Sequence, residues 1–186
     1  MELRILGLRV YLGHHRDPQA LLRLWNDPNV MTSVGWPKGL GVSPDYVQQW
    51  IASSYPVRDP ARQNYRLAIY DQAADAFMGE TALGYFGRQA DTEPDLKLLP
   101  EYWGQGYGTE VVNLVTDFLF TMTACPAIRF TPNIHNKAAI RVYEKCGFID
   151  TGERITWEPP PEAAGAVAVT AACLRLTKAD HLSVYA

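Results

Sequence analysis

A glycine-rich segment, Trp103–Gly108, has the clearest chemical potential in this sequence, because a helical pattern starts directly after it. Gly104, Gly106 and Gly108 let the backbone approach a ligand closely. The first turn of a helix leaves main-chain N–H groups without partners, and the helix dipole favours an anion there. The segment therefore predicts a phosphate or diphosphate site. Its main-chain donors would come from Gln105, Gly106, Tyr107, Gly108 and Thr109.

Three known glycine-loop patterns do not fit this segment. A Walker A loop needs a lysine after its last glycine, whereas Gly108 is followed by Thr109 and Glu110. A dinucleotide fingerprint needs G-x-G-x-x-G, but the spacing here is G-x-G-x-G, and the next strand ends in Thr131-Pro132 without an acidic residue. A protein kinase would also need a DFG motif, which the sequence lacks.

Two segments carry a family resemblance: LPEYWGQGYGTE at 99–110 and NIHNKAAIRVYEKCGF at 133–148. They resemble the GCN5-related N-acetyltransferases (GNAT), especially the branch of ribosomal-protein-alanine and aminoglycoside 6′-type enzymes. The first segment is similar to the family's diphosphate motif, Arg/Gln-x-x-Gly-x-Gly/Ala, and the second to its Asn…Tyr-Glu-Lys-x-Gly-Phe segment. Trp103 departs from the first pattern and removes one polar contact.

The resemblance implies an α/β fold with a mixed, mostly antiparallel sheet and helices on both faces. The sheet would split between the fourth and fifth strands, and acetyl-CoA would lie in that split. The N–H of Leu98 or Leu99 would hold the thioester carbonyl, and residues Trp103–Thr109 the diphosphate. Asn136 would contact the pantetheine arm or the thiol, and Tyr143 would be the general acid.

Direct acetyl transfer needs a neutral amine, a polarised carbonyl and an acid for the leaving thiolate. The phenol of Tyr143 suits the acid's role. An alkylammonium has a pKa near 10.4, so its proton must be removed first. Glu93 and Asp95, at the start of the fourth strand, are the candidate bases, with Glu80 in the third strand as a further possibility. A relay through water without a single base stays open, and His135 is more typical of a surface loop.

The acceptor is the least determined part of the sequence. Three classes remain open: a protein or peptide N-terminus, an amino sugar, and a small polyamine or amino acid. Specificity would come from Trp25–Gly41, from Tyr46–Tyr55 and from the loop after Trp157. We slightly favour a protein N-terminus. The alternative from another class is a non-catalytic acyl-CoA sensor, which would share the glycine loop but lack turnover.

The elements that must position these residues follow from their periodicity and turn signals. Asp17-Pro18 and Ser43-Pro44 predict two helix starts, and two further helices follow the glycine loop and Asn136. A helix that begins at Asn136 should end at Gly147, in a left-handed conformation. Strands are predicted at Leu3–Leu12, Tyr65–Tyr70, Phe77–Phe86, Leu96–Leu99, Ala127–Thr131, Ile149–Trp157 and Val167–Leu176.

The whole chain indicates a single N-acetyltransferase domain over residues 1–186. A net charge of −3 disfavours binding to nucleic acid. Three widely spaced cysteines predict neither a disulfide framework nor a zinc site, and no metal site is expected. The N-terminus lacks an export signal and no segment is apolar enough to cross a membrane, so we expect a cytoplasmic protein that does not bind membranes. The family resemblance makes a homodimer plausible.

Overall fold

The structure is a computed structural model that describes residues 4–54, 66–84 and 91–183. The predicted strand positions Leu3, Tyr65, Tyr85 and Phe86 lie outside these ranges. Short 3₁₀ turns occur at Thr32–Val34 and Pro100–Tyr102. The helices and strands, in chain order, are β1 (Ile5–Leu6), β2 (Val10–Gly13), α1 (Pro18–Asn26), α2 (Pro28–Met31), α3 (Pro44–Ser54), β3 (Arg66–Asp71), β4 (Phe77–Ala82), β5 (Asp95–Leu98), α4 (Tyr107–Met122), β6 (Ala127–Phe130), α5 (Lys137–Lys145), β7 (Ile149–Trp157), β8 (Val169–Thr177) and α6 (Lys178–Ser183).

The strands form two antiparallel sheets that meet at one point and then separate. The first has the order β1-β2-β3-β4-β5 and the second β6-β8-β7. Thr92, just before β5, forms a parallel bridge with Ile128 of β6. Its N–H donates to Ala127 O at 3.1 Å, and its carbonyl accepts from Arg129 N at 2.9 Å. Beyond this joint β5 and β6 are not paired, which confirms the predicted split between the fourth and fifth strands, here β5 and β6.

The prediction of one strand over Leu3–Leu12 was wrong. The segment forms a tight hairpin, in which Ile5 pairs with Leu12 and Leu6 with Tyr11. The Gly7 N–H donates to Val10 O at 2.9 Å and closes the turn. An alternating apolar pattern is the same in one long strand and in two short strands that face the same core. The pattern therefore does not reveal the turn between β1 and β2.

The helix signals in the sequence act as predicted. The Asp17 carboxylate accepts a hydrogen bond from the Ala20 N–H at 2.9 Å and caps α1. Asp27 ends α1, and Pro28 then begins the short helix α2. Gly147 follows α5 with φ at +88°, and the next N–H, of Phe148, donates to Tyr143 O at 3.1 Å. Gly147 thus provides the expected left-handed end to α5.

Helices cover both faces of the five-stranded sheet. Neighbouring residues of β2 point to opposite sides: Val10 and Leu12 pack in the core beneath α4, whereas Tyr11 packs in the core beneath α1 and α3. Burial on both faces explains why β2 and β3 are continuously apolar rather than alternating. Among the described residues, no helix has the length and apolar character needed to span a membrane.

Candidate active site

A cleft of about 570 Å³ opens where β5 and β6 separate. One wall is formed by residues 94–98, which include β5, and the other by residues 130–133, which begin at the last residue of β6. The glycine loop forms one end, and α5 contributes the residues behind it. Because β5 and β6 separate, the edge of β5, the N-terminus of α4 and the helix α5 all border the same cleft.

The free edge of β5 presents the N–H of Leu98 but not that of Leu99. The Leu99 N–H donates to Met78 O of β4 at 2.9 Å and is already committed. Because main-chain N–H groups alternate in direction along an antiparallel strand, the Leu98 N–H points away from β4 and towards the cleft. The Leu98 carbonyl accepts from the indole N–H of Trp103 at 2.8 Å. Trp103, the residue that departs from the family motif, thereby ties the glycine loop to β5.

The glycine loop presents a row of unpaired main-chain donors. Gly106, with φ at +85°, precedes α4, and the first hydrogen bond of that helix runs from Glu110 N to Gly106 O at 3.2 Å. Within the three described stretches of the chain, the N–H groups of residues 105–109 have no acceptor. Such a row at a helix N-terminus fits the diphosphate of a coenzyme. At Gly108 a β-carbon would meet Val142 at 3.6 Å, which is an ordinary van der Waals contact, so packing alone does not require glycine there.

Arg9, in the N-terminal hairpin, braces this loop and was not anticipated from the sequence. Its Nε donates to Glu110 Oε2 at 2.8 Å, and its guanidinium lies 4.3 Å above the ring of Tyr107. One further nitrogen donates to Gln105 O at 3.2 Å. The loop is thus held by a residue about one hundred positions earlier, and no local sequence pattern could have identified it.

Helix α5 brings Asn136 and Tyr143 to the cleft. Asn136 caps the helix, with Oδ1 accepting from Ala139 N at 3.1 Å, while its amide donates to Ser33 Oγ at 3.2 Å. The Tyr143 ring stacks on Phe130 at 4.2 Å between centroids. Burial raises the pKa of Tyr143, and the negative charge of Asp95 raises it further. Its phenol therefore stays protonated at neutral pH.

The two carboxylates proposed as bases have different surroundings. Glu93 binds Arg129, at 2.7 Å, and Thr131, and it does not line the cleft. Asp95 does line the cleft and lies 2.7 Å from the Lys97 ammonium. Burial opposes the ionised form of Asp95, but the charges of Lys97 and Arg66 outweigh this effect and lower the pKa of its carboxyl. The structure thus brings Asp95, but not Glu93, to the proposed reaction space.

A second cavity of about 520 Å³ adjoins the cleft. Val34, Asp95 and Lys97 line both spaces. Two of the three segments expected to set specificity reach it: 25–41 and 46–55, of which residue 55 is outside the described ranges. The third segment, the loop after Trp157, does not contribute to the lining. In this loop the Val167 N–H donates to Gly35 O at 2.8 Å.

The described lining of the second cavity is Trp25, Met31, Val34, Trp36, Leu40, Val42, Tyr46, Trp50, Arg66, Glu80, Asp95 and Lys97.

Glu80 is fully buried in the wall of this second cavity. Its Oε1 accepts from the Trp25 indole at 3.1 Å and from Arg66 at 2.9 Å. Its Oε2 has no hydrogen-bond partner among the described residues and lies 3.6 Å from the imidazole of His15, which is also buried. Burial lowers the pKa of His15 to about 3, with a further contribution from Arg66, so the imidazole is neutral. Glu80 is thus held in place within the wall.

Comparison with known proteins agrees with the fold. The family model "Acetyltransferase (GNAT) domain" matches residues 6–149, so the chain belongs to the GNAT acetyltransferases. Enzymes of this family use acetyl-CoA. The geometry accommodates this coenzyme, since a cleft between splayed strands ends at unpaired amides.

Individual relatives are more distant. The spermidine N(1)-acetyltransferase of Vibrio cholerae is 25% identical over 118 residues, which is 57% of this chain and 67% of that protein. A crystal structure of the Vibrio cholerae spermidine N-acetyltransferase in complex with CoA and spermine superposes with a TM-score of 0.74 at 19% identity, over 94% of this chain and 98% of that one. A GNAT-family acetyltransferase from Bacillus anthracis gives a TM-score of 0.73 at 14% identity, over 95% and 99%. These two structures are similar in fold.

Proposed function

We propose that this acetyltransferase moves an acetyl group from acetyl-CoA to the nitrogen of a primary amine by direct attack. The observation that carries the proposal is the row of unpaired N–H groups at 105–109, since Gly106, Gly108 and Thr109 of this row line the same cleft as Leu98 and Tyr143. Donors at a helix N-terminus suit a diphosphate, and a free strand-edge amide suits an oxygen that gains negative charge during acyl transfer.

The coenzyme supplies the acetyl thioester, and the chain's own groups hold it. The amides of residues 105–109 bind the diphosphate, and Arg141 and Lys145, which also line the cleft, are placed for a further phosphate. Asn136 contacts the pantetheine arm. The Leu98 N–H donates to the thioester carbonyl oxygen, an interaction worth about 3 kcal/mol in comparable sites.

Tyr143 is the general acid that protonates the leaving group. Its Oη donates a proton to the departing sulfur. In water a phenol, with a pKa near 10, is a weaker acid than a thiol, with a pKa near 8.5. Proton transfer from the phenol to the thiolate is therefore unfavourable by itself, and it must be coupled to the return of a proton to the phenol. The nitrogen must lose a proton as it becomes an amide, and it supplies this proton. Tyr143 is therefore protonated again at the end of the reaction.

We assign removal of the first proton, from the ammonium, to water. Glu93 is bound to Arg129 and Thr131 away from the cleft. Asp95 is bonded to Lys97, and its lowered pKa makes it a weak base. Glu80 has one oxygen engaged by Arg66 and Trp25. A relay of water molecules can remove the ammonium proton without any of these three carboxylates as the single base.

The acceptor enters through the second cavity, because this space meets the cleft at β5. The substrate in the name of the Vibrio cholerae relative supports a small amine over a protein N-terminus. No feature of the described residues specifically favours the protein N-terminus that the sequence alone suggested.

Calorimetric titration with CoA, followed by an assay of thiol release from acetyl-CoA, tests the function. The panel contains monoamines, diamines, amino sugars and short peptides. We expect CoA to bind, and thiol release to depend on an amine. CoA binding without release for any amine supports the non-catalytic acyl-CoA sensor instead. Absence of CoA binding contradicts both functions.

A further inference from the structure

The acceptor cavity contains four charged side chains that neutralise one another. Lys97 lies 2.7 Å from Asp95 and 3.8 Å from Glu80. Arg66 lies 2.9 Å from Glu80 and 3.7 Å from Asp95. Each cation thus lies close to both carboxylates, and the four side chains form one network. The described charged residues of the wall therefore have no net charge.

This balance disfavours an acceptor with several positive charges. An additional ammonium in the cavity would compete with Lys97 and Arg66, which already pair with both carboxylates, and would be repelled by these two cations. The one carboxylate oxygen without a hydrogen-bond partner among the described residues, Glu80 Oε2, is buried beside His15. A polyamine therefore has no net anionic surface to recognise in the described part of this wall.

The remainder of the cavity wall is apolar or aromatic. Indole and phenol rings come from Trp25, Trp36, Tyr46 and Trp50, and the other residues are aliphatic or Met. The Trp25 and Trp50 rings meet edge to face, at 5.0 Å between centroids. The described lining contains no Ser, Thr, Asn or Gln side chain. Hydroxyl-rich amino sugars and peptide amides would leave polar groups without side-chain partners in such a wall.

We propose that the natural acceptor is a small primary monoamine with an apolar or aromatic body, and that the cavity binds it as the free amine. This inference rests on the proposed function. Apolar walls and the nearby cations Lys97 and Arg66 both disfavour an ammonium, so the bound nitrogen keeps its lone pair. The proton of the free ammonium goes to water before binding. The nitrogen then forms a bond to the acetyl carbon as the carbon–sulfur bond breaks, and one proton passes from nitrogen to sulfur by way of Tyr143.

A matched pair of amines tests the charge requirement. Hexylamine and 1,6-diaminohexane have the same chain length and differ by one amino group. We expect kcat/KM to be at least about tenfold higher for hexylamine, and still higher for 2-phenylethylamine. Calorimetry and tryptophan fluorescence with CoA present should show the same order of binding affinity, independently of turnover. Spermidine should bind more weakly than hexylamine.

Two variants connect this preference to the network. Lys97→Gln removes the cation nearest to Asp95 and gives the four positions a net charge of about −1, so the diamine should gain at least about tenfold relative to hexylamine, both in affinity and in kcat/KM. Lys97→Arg keeps the charge and should retain the preference of the wild type. If Lys97→Gln does not fold, the wild-type comparison of the two amines decides.

Three results would overturn the inference while leaving the acetyltransferase function intact. They are equal or better use of the diamine or spermidine by the wild type, preference for a peptide N-terminus over every monoamine, and unchanged selectivity in a folded Lys97→Gln variant. A wild-type protein that binds no CoA and acetylates no amine would instead contradict the proposed function, and this inference with it.

Discussion

Tyr143 lines the cleft, and its surroundings restrict both the position and the protonation state of its phenol. Stacking on Phe130 restricts its ring, and only 6% of the residue is exposed. Burial keeps its phenol protonated. A second tyrosine, Tyr102, lines the same cleft but comes from the turn after β5. Tyr102 is therefore a control position for removal of a phenol hydroxyl from the cleft.

Tyr143→Phe should lower kcat by roughly 100-fold, because the leaving sulfur loses its proton donor while the packing of the ring is retained. The affinity for CoA should change by less than about twofold, as measured by calorimetry. Tyr102→Phe removes the other phenol and should leave kcat nearly unchanged. Equal kcat values for the two variants would contradict the assignment of Tyr143.

His15 predicts a loss of stability in acid. In the folded protein its pKa is about 3, whereas in the unfolded chain it is near 6.5. Between these values the unfolded state binds a proton and the folded state does not, so the free energy of unfolding decreases as the pH falls from 6.5 towards 3. The contribution is on the order of 1 kcal/mol per pH unit.

His15→Gln should remove this part of the acid sensitivity, which urea unfolding at several pH values would measure. Glu80, His14 and Arg66 remain near the site in the variant. His135→Gln, at an exposed position, is the matched control and should keep the wild-type pH profile. An identical slope in His15→Gln and the wild type would show that His15 is not buried in its neutral form.

The unit formed by the glycine loop and α4 depends on the backbone at Gly106. Its φ of +85° is unfavourable for residues with a β-carbon, and that atom would also lie 3.4 Å from the Arg9 guanidinium. A change of backbone here would redirect the N–H groups that face the cleft. The loop is therefore the element on which coenzyme affinity most depends.

Gly106→Val should raise the KM for acetyl-CoA at least about tenfold and leave the KM for S-acetylpantetheine, which has no diphosphate, unchanged. Gly152→Val is the control: Gly152 also has a left-handed φ, +82°, and lies in β7 with no atom near its virtual β-carbon. It should show a similar backbone strain with a normal KM. Equal losses with both thioesters would mean that the loop does not bind the diphosphate.

At the level of the whole molecule, the two sheets share few main-chain contacts across the split. Hydrogen bonds around Thr92 join them, and beyond this point their edges border the cleft. A coenzyme bound there would contact β5 on one side and α5 on the other. Binding should therefore stabilise both halves of the fold together.

CoA at about one hundred times its dissociation constant should stabilise the fold by about 2.7 kcal/mol. For a chain of this length, that corresponds to a rise in Tm of roughly 5–10 °C, measurable by differential scanning fluorimetry. The shift should be much smaller for Gly106→Val at the same CoA concentration. No shift in the wild type at saturating CoA would contradict binding across the split.

The broadest expectations from the sequence remain predictions: a single domain over residues 1–186, a homodimer and a cytoplasmic location. None of them follows from the arrangement of the described residues.

The local features of this protein were predictable because they depend on neighbours within a few residues. The Asp17 and Asn136 caps, the left-handed Gly147 and the glycine loop before α4 all belong to this class. They made it possible to predict most elements, the family resemblance and the position of the glycine loop. The hairpin in the first predicted strand was missed because its apolar pattern does not reveal a turn.

The acceptor cavity and the choice of strand-edge donor needed the folded chain. Leu98 and Leu99 differ only in which N–H pairs with β4, and this depends on the register of two strands. Arg9 contacts Glu110 across 101 positions, and Trp25 reaches Glu80 across 55. Contacts between residues so far apart arise only when the sheets and helices pack, since no sequence period links their positions. For the same reason the balance of charge among the described residues of the second cavity, from which we infer the preferred amine, is a property of the packed molecule.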